Sequence, residues 1–318
     1  MAADAIPAAA PLLAVVGPTA SGKTELAIEV AERLGAEIVC ADSTTVYRGM
    51  DVGTAKATPE QRARVPHHLI DVAEPSEPFT VARYQRLARA AIEDVRGRGR
   101  VALLVGGSGL YVRAVADDLV FPPTDPAVRE RLQAEAAAAG ATAMYERLAG
   151  LDLPAADRIE PDNVRRTVRA LEVAEITGRP FSSYAEAWDR YPPDRVRAVG
   201  VDVPRPDLYT RIEARVRAQL AEGLVEEVKE LAHRGLAGWL TASQAIGYAE
   251  FARHLEGELS LDEAVARTVK RTKALARRQL AWFRRDPRIR WFAHDEPALA
   301  EVVGGYLRGR ASSPRSTT

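Results

Sequence analysis

Gly17-Pro18-Thr19-Ala20-Ser21-Gly22-Lys23-Thr24 lies between an apolar, β-branched run, Leu12 to Val16, and a helical pattern carried by Leu26, Ile28, Val30 and Leu34. The spacing Gly-x-x-x-x-Gly-Lys-Thr in a strand–loop–helix setting is that of a phosphate-binding loop. Its glycines let backbone N–H groups wrap phosphate oxygens at a helix N-terminus, Lys23 adds a point charge, and the Thr24 hydroxyl is a ligand for a magnesium ion. Gly17, Thr19, Ala20, Ser21, Gly22, Lys23 and Thr24 are therefore the expected diphosphate-binding residues. The loop implies a bound diphosphate or polyphosphate. It leaves open whether that group belongs to a nucleotide, as in a kinase or other ATP-binding enzyme, or is the leaving group of another molecule.

Working outward, Ala36 to Ala41 reads as a second strand ending at Asp42, Arg83 to Arg96 as a helix, and Val101 to Val105 as a buried strand ending in Gly106-Gly107. Repeated strand–helix alternation implies an α/β protein with a parallel sheet flanked by helices, of the P-loop NTPase type. From about Pro122 the chain becomes rich in Ala, Glu and Arg, punctuated by Pro154, Pro161 and Pro180, with no strand until Val196 to Val203. That stretch reads as a helical insertion. Beyond it, Asp207 is placed to cap a helix with Leu208, Ile212, Val216 and Leu220 on one face and Gly223 at its end, and further helices run to about Arg285. The expected organisation is a disordered leader over 1–10, a core over 11–120 and 196–300 with basic C-terminal helices, an insertion over 121–195, and a frayed tail over 301–318.

A chain of 318 residues, 47% hydrophobic and 28% charged, has ample material for a buried core. Its one cysteine, Cys40, permits no internal disulfide and fits a reducing cytoplasm, and its five histidines show no zinc spacing. No apolar run approaches the ~20 residues of a membrane span, so a soluble protein is expected. Net charge is zero, so any affinity for a polyanion must come from local clustering.

Such clustering occurs twice. Arg165, Arg166 and Arg169 form a basic stripe, and the stretch Arg267 to Arg290 sets Arg267, Lys270, Arg271, Lys273, Arg277, Arg278 and further arginines against the single acid Asp286. A basic helix of this kind either neutralises nucleic-acid phosphates or forms a solvated face; its Trp282, Phe283 and Trp291 are expected to pack inward. Asp42 ends a strand at the edge where open α/β sheets place their ligands, and either accepts a proton from an attacking nucleophile or caps the following turn. Ser108, in Gly106 to Tyr111, lies on the same edge, in a motif that packing alone also explains. Arg211 and Arg215 share one helix face, from which either reaches a diphosphate or meets solvent. Val101 to Val105 ends in glycine, where a hydrolytic motor carries a magnesium-holding aspartate.

Taken together, these segments resemble the bacterial-type tRNA dimethylallyltransferases, the IPP transferase family. The likeness rests on Gly17 to Thr24, Asp42-Ser43, Met50 to Lys56, Pro66 to Asp71, Gly106 to Tyr111, Arg169 to Val173, Gln244 to Tyr248 and Arg278 to Trp282, and so spans nearly the whole chain. The resemblance implies dimethylallyl diphosphate as donor and, as acceptor, N6 of the adenosine just 3′ of the anticodon of tRNA. It implies Asp42 as general base, with Ser108 beside the reacting amine and the diphosphate. Thr19, Lys23, Thr24 and Arg215 would hold the diphosphate with magnesium. Asp42, Ser43, Thr44, Thr45, Ser108, Arg129, Arg165, Arg166, Thr167, Val168, Arg169, Lys273, Arg277 and Arg278 would meet the tRNA anticodon stem-loop, with the target base flipped into the core of a monomeric, cytoplasmic enzyme. The rival readings are a nucleotide kinase and an isopentenyltransferase acting on free adenine nucleotides.

Overall fold

The computed structural model of the chain describes residues 11–117, 119–184, 188, 190–239 and 241–309. Residues up to Ala116 together with those from Tyr191 form one compact unit, and Asp117–Arg190 a second. The first opens with β1 (Leu12–Val16), α1 (Lys23–Leu34), β2 (Ala36–Cys40), α2 (Pro59–Arg64), β3 (His67–His68), α3 (Val81–Gly97), β4 (Val101–Gly106) and α4 (Gly109–Ala116). The second holds α5 (Pro126–Leu151), α6 (Leu153–Ala156) and α7 (Val164–Thr177). The chain then returns to the first unit through β5 (Val196–Asp202), α8 (Arg205–Ala221), α9 (Leu224–His233), α10 (Tyr248–Leu255), α11 (Leu261–Phe283), β6 (Ile289–Ala293) and α12 (Leu299–Leu307).

Among the described residues the sheet has six strands in the order β3-β2-β4-β1-β5-β6, all parallel. Every residue of β1 is buried because helices cover both sheet faces, which is why Leu12 to Val16 is a continuous apolar run rather than an alternating one. Alternation survives in where the side chains go. Leu12, Ala14 and Val16 join the core under α3, α9 and α10, while Leu13 and Val15 join that under α1 and α12.

The second unit has its own core of Leu132, Met144, Leu148, Val168 and Leu171, and α5 is broken at Gly140 (φ 85°). Inside it the buried Glu172 accepts the Asp125 N–H at 2.8 Å and pairs with Arg129 (2.7 Å) and Arg169 (2.8 Å). A buried carboxylate requires this degree of pairing.

Several expectations need correction. The insertion divides from the core at 117 and 190 instead of 121 and 195. Of the tail expected to fray from 301, the part up to Leu307 instead belongs to α12, whose Val303 and Leu307 are buried. Asp207 does not cap α8: the helix starts earlier, at Arg205, because Pro206 fixes the first-turn backbone and lacks the N–H that would need a partner. The basic stretch is not one helix, since α11 ends at Phe283 and Arg290 lies in β6. The leader over 1–10 and the residues beyond 309 lie outside the described residues.

Candidate active site

The phosphate loop leaves the central strand β1 and turns into α1 through two left-handed residues, Ala20 (φ 63°) and Gly22 (φ 88°). At Gly22 this conformation is free of strain; at Ala20 it costs on the order of 1 kcal/mol, held by the fold around it. The Lys23 Nζ donates to the Pro18 carbonyl at 3.2 Å, and the Thr19 N–H donates to Gln279 Oε1 of α11 at 2.9 Å. Burial foremost, and then the Arg215 cation, lower the Lys23 ammonium to about 8, with Asp42 opposing them.

Asp42 is placed by the ends of two strands. The Ala41 N–H donates to Val105 O at 2.7 Å and the Ser108 N–H to Ala41 O at 3.2 Å. So close is this crossing that a Cβ on Gly106 would lie 2.0 Å from the Ala41 carbonyl oxygen, which is why β4 ends in glycine. Asp42 Oδ1 accepts the N–H and hydroxyl of Thr44 at 2.9 and 2.7 Å, so the turn-capping role is real. Oδ2 makes no hydrogen bond among the described residues and is free for a ligand.

Both features line one cavity of about 320 Å³, with Thr19, Lys23, Thr24, Asp42, Ser43, Thr44, Thr45 and Arg215 among its walls. Apolar side chains, including Ile38, Val105, Ile212, Val216 and Leu275, make up much of the remainder. An anion-binding loop, a carboxylate and an apolar wall thus share one space, as a molecule with a diphosphate head and a hydrocarbon body requires. Arg215 is held inside by α8, and burial lowers its ionisation despite Asp42 and Glu222 nearby. Its helix neighbour Arg211 instead turns to the Nδ1 of His294 at 3.4 Å, outside this cavity.

The other predicted residues divide. Gly17, Ala20, Ser21 and Gly22 shape the loop without lining the cavity. Ser108 is half-buried beside Ala41 and is also absent from the lining. Arg277 and Arg278 are exposed and have no ion-pair partner among the described residues, whereas Lys273 pairs with Glu213 at 2.5 Å. In the second unit Arg165 and Arg166 are exposed. Thr167 and Val168 are buried, Val168 within the unit's own core, so within 165–169 the side chains most open to a partner are those of Arg165 and Arg166. Arg129 and Arg169 are committed to Glu172, and Arg169 also donates to the carbonyls of Pro122 and Pro123 at 2.8 and 3.0 Å.

Sequence reasoning gave no role to Gln279, which joins the phosphate loop to α11 and lies 2.5 Å from where a Gly107 Cβ would be. It also missed the cavity walls Gly53 to Ala55 and Gln244 to Tyr248. All belong to the segments that carry the family resemblance, whose fixed residue pattern was the available signal. Trp282 and Trp291 pack inward as expected, against Gly109 and Gly200, where an added Cβ would come within 2.0 and 2.6 Å of their rings.

The profile of the IPP transferase family matches residues 45–286. A tRNA dimethylallyltransferase of Nocardioides sp. is 53% identical over 303 residues, 94% of this chain and 97% of its own. The tRNA dimethylallyltransferase of Streptomyces coelicolor is 52% identical over 287 residues, 90% of this chain and 91% of its own. Among solved structures, the full-length tRNA isopentenylpyrophosphate transferase of Bacillus halodurans aligns with a TM-score of 0.69 at 39% identity, over 94% of this chain and 96% of its own. A eukaryotic dimethylallyltransferase acting on tRNA, 22% identical, shares the fold with a TM-score of 0.77 over 96% of this chain and 81% of its own.

Proposed function

The chain belongs to the IPP transferase family, and from that membership we propose that it transfers the dimethylallyl group of dimethylallyl diphosphate to N6 of adenosine-37 in tRNA, releasing diphosphate. The observation that carries this reading is the shared cavity, in which Asp42 stands with Lys23, Thr24 and Arg215.

In the proposed reaction a bond forms between adenine N6 and the allylic C1 while the C1–oxygen bond to diphosphate breaks, its electron pair leaving with the diphosphate. The proton shed by N6 passes to Asp42 Oδ2, the oxygen without a hydrogen-bond partner among the described residues. Lys23 and Arg215, with the N-terminus of α1 at Lys23 and Thr24, hold the departing charge, and the apolar wall receives the prenyl body and excludes water from the allylic carbon. Thr24 lines the cavity, and the described residues hold no cluster of three acidic, histidine or cysteine ligands. That donor set suits magnesium, which takes most of its ligands from phosphate oxygens and water. When bound, such an ion would offset charge on the leaving oxygens. The exposed Arg277 and Arg278, and Arg165 and Arg166 on the second unit, are the proposed contacts to the anticodon stem-loop. No described helix is long and apolar enough to cross a membrane, and we assign the enzyme to the cytoplasm, as a monomer.

The test is incorporation of labelled dimethylallyl diphosphate into an unmodified anticodon stem-loop with magnesium, beside free AMP and an ATP-hydrolysis control. Label in the stem-loop alone is expected. Label in AMP alone, or ATP turnover without transfer, would overturn the reading. Asp42→Asn should fold and bind the stem-loop but lose about 10²- to 10⁴-fold in transfer; near-normal turnover would remove Asp42 as the base.

A further inference from the structure

The Glu227 carboxylate, on α9, accepts four hydrogen bonds from segments remote in sequence. Its donors are the N–H groups of Asp51, Val52 and Gly53, at 2.8, 2.8 and 3.1 Å, and the Tyr248 hydroxyl at 2.5 Å. The opposite side of the same turn is held by Gln219 of α8, whose Nε2 donates to the carbonyls of Val52 (2.7 Å) and Gly53 (3.0 Å). Gly53 is the residue that permits this: a Cβ there would lie 2.5 Å from the Tyr248 ring.

The held turn leads directly into cavity wall. Gly53, Thr54 and Ala55 line the space that contains Asp42 and Lys23, and so do Gln244 to Tyr248. The Thr54 carbonyl accepts from the Arg215 guanidinium at 3.5 Å. Ala55 sits at φ 46°, a left-handed backbone that an alanine adopts only when its surroundings enforce it. The buried Lys56 anchors the far end of the turn, bonding to the Tyr47 carbonyl, to Asp51 and to Asp71. The turn is closed by its own bonds, from the Thr54 hydroxyl to the Met50 carbonyl at 2.6 Å and from the Ala55 N–H to the Val52 carbonyl at 3.0 Å, so the α8–α9 clamp sets where the turn sits against Arg215 rather than its internal shape.

We infer that Glu227 is a positioning residue for the donor site: by gathering the 51–53 N–H groups and Tyr248 onto one carboxylate, it fixes the wall against which Arg215 is aimed at the diphosphate. This deepens the proposed function and rests on its assignment of a diphosphate donor to the cavity. Glu227 meets no reacting atom and acts through Thr54 and Arg215. A carboxylate suits the task because all its donors are N–H or O–H groups; an amide in its place would turn an NH₂ toward one of them.

The experiment compares wild type, Glu227→Ala and Glu227→Gln by calorimetric binding of inorganic pyrophosphate with magnesium, by stem-loop affinity, and by KM for the donor against kcat. Glu227→Ala is expected to weaken pyrophosphate binding and raise donor KM by about tenfold or more, with stem-loop affinity within about twofold. The isosteric Glu227→Gln should fall between the two, and it decides the matter alone if the alanine variant does not fold. Unchanged pyrophosphate affinity in a folded Glu227→Gln and Glu227→Ala would overturn the assignment, as would a loss confined to thermal stability and active fraction. If wild type binds pyrophosphate but prenylates no RNA, the functional proposal fails while the pyrophosphate arm still tests Glu227.

Discussion

Raising the pH from 7 to 9 is expected to weaken diphosphate binding about tenfold through Lys23 alone. Burial, and next the Arg215 cation, disfavour the ammonium, Asp42 partly offsets them, and the balance brings Lys23 to about 8 in the empty site. At that value roughly nine-tenths of the enzyme carries the charge at pH 7 and roughly one-tenth at pH 9. A bound diphosphate supplies opposite charge against the ammonium and raises its ionisation, so binding above pH 8 must take up a proton, approaching one per site by pH 9. The sign is therefore set: affinity is greatest below pH 8 and falls as pH rises through it. The assay is calorimetry with inorganic pyrophosphate and magnesium in buffers of different ionisation enthalpy, on wild type and Lys23→Met. Proton exchange by pyrophosphate itself is common to both proteins, so the difference belongs to Lys23. Equal proton uptake by the two near pH 9, or a midpoint near the ordinary lysine value, would refute the reasoning.

Gly106→Ala would drive a Cβ into the Ala41 backbone, and is expected to cost about 1–3 kcal/mol of stability and, by moving Asp42, about 10²-fold in single-turnover transfer; a near-normal rate in the folded variant would show that this corner does not set the base. Arg277→Glu with Arg278→Glu reverses two exposed charges and should weaken stem-loop binding, with the slope of log K against log salt reduced by about 0.7–0.9 per lost phosphate contact and donor KM unchanged; filter binding across a salt series reads both. Cys40 lines the cavity, and burial, followed by the Asp42 charge, pushes its thiol up to about 12. Native protein at pH 8 should therefore react with iodoacetamide more than about 10²-fold slower than unfolded protein, and rapid native labelling would contradict that environment.

Much of the core was legible because its signals are local. Leu12 to Thr24 carries strand, loop and helix in one short run, and the buried parallel strands announce themselves as apolar runs. β3 escaped notice because two residues, His67 and His68, hold no periodicity. β6 escaped because Ile289-Arg290-Trp291-Phe292-Ala293 continues a basic stretch whose helical part had already ended, and its strand character comes from pairing with β5. In the site, Lys23 was readable from the loop motif and Asp42 from its place after a strand end, whereas Arg215 was told apart from Arg211, on the same helix face, only by the family resemblance. Glu227 and Gln279 were not, since what they do is contact residues more than a hundred positions away. Thr167 and Val168, both buried, show what a motif leaves unsaid: it marks a segment, but helical period decides which of its side chains reach solvent.

The two glycine-rich loops explain how a phosphate loop is turned to alkyl transfer. In a hydrolytic P-loop enzyme the neighbouring strand contributes a carboxylate for magnesium; here β4 ends in Gly106-Gly107 instead. The absent side chain at Gly106 admits the Ala41 carbonyl, and so lets the turn after β2 bring the Asp42 carboxylate to the cavity. The absent side chain at Gly107 admits Gln279, which ties α11 to the Thr19 N–H. One glycine pair thus makes room both for the Asp42 carboxylate, the proposed proton acceptor, and for the helix that displays the exposed Arg277 and Arg278. The same economy predicts an asymmetry between them. Gly106→Ala must displace backbone, whereas Gly107→Ala meets the end of a flexible side chain that can swing away. The first should therefore act mainly on the transfer rate, and the second, by freeing the Thr19 N–H from Gln279, mainly on donor affinity. A rate loss as large in Gly107→Ala as in Gly106→Ala would break this division of labour.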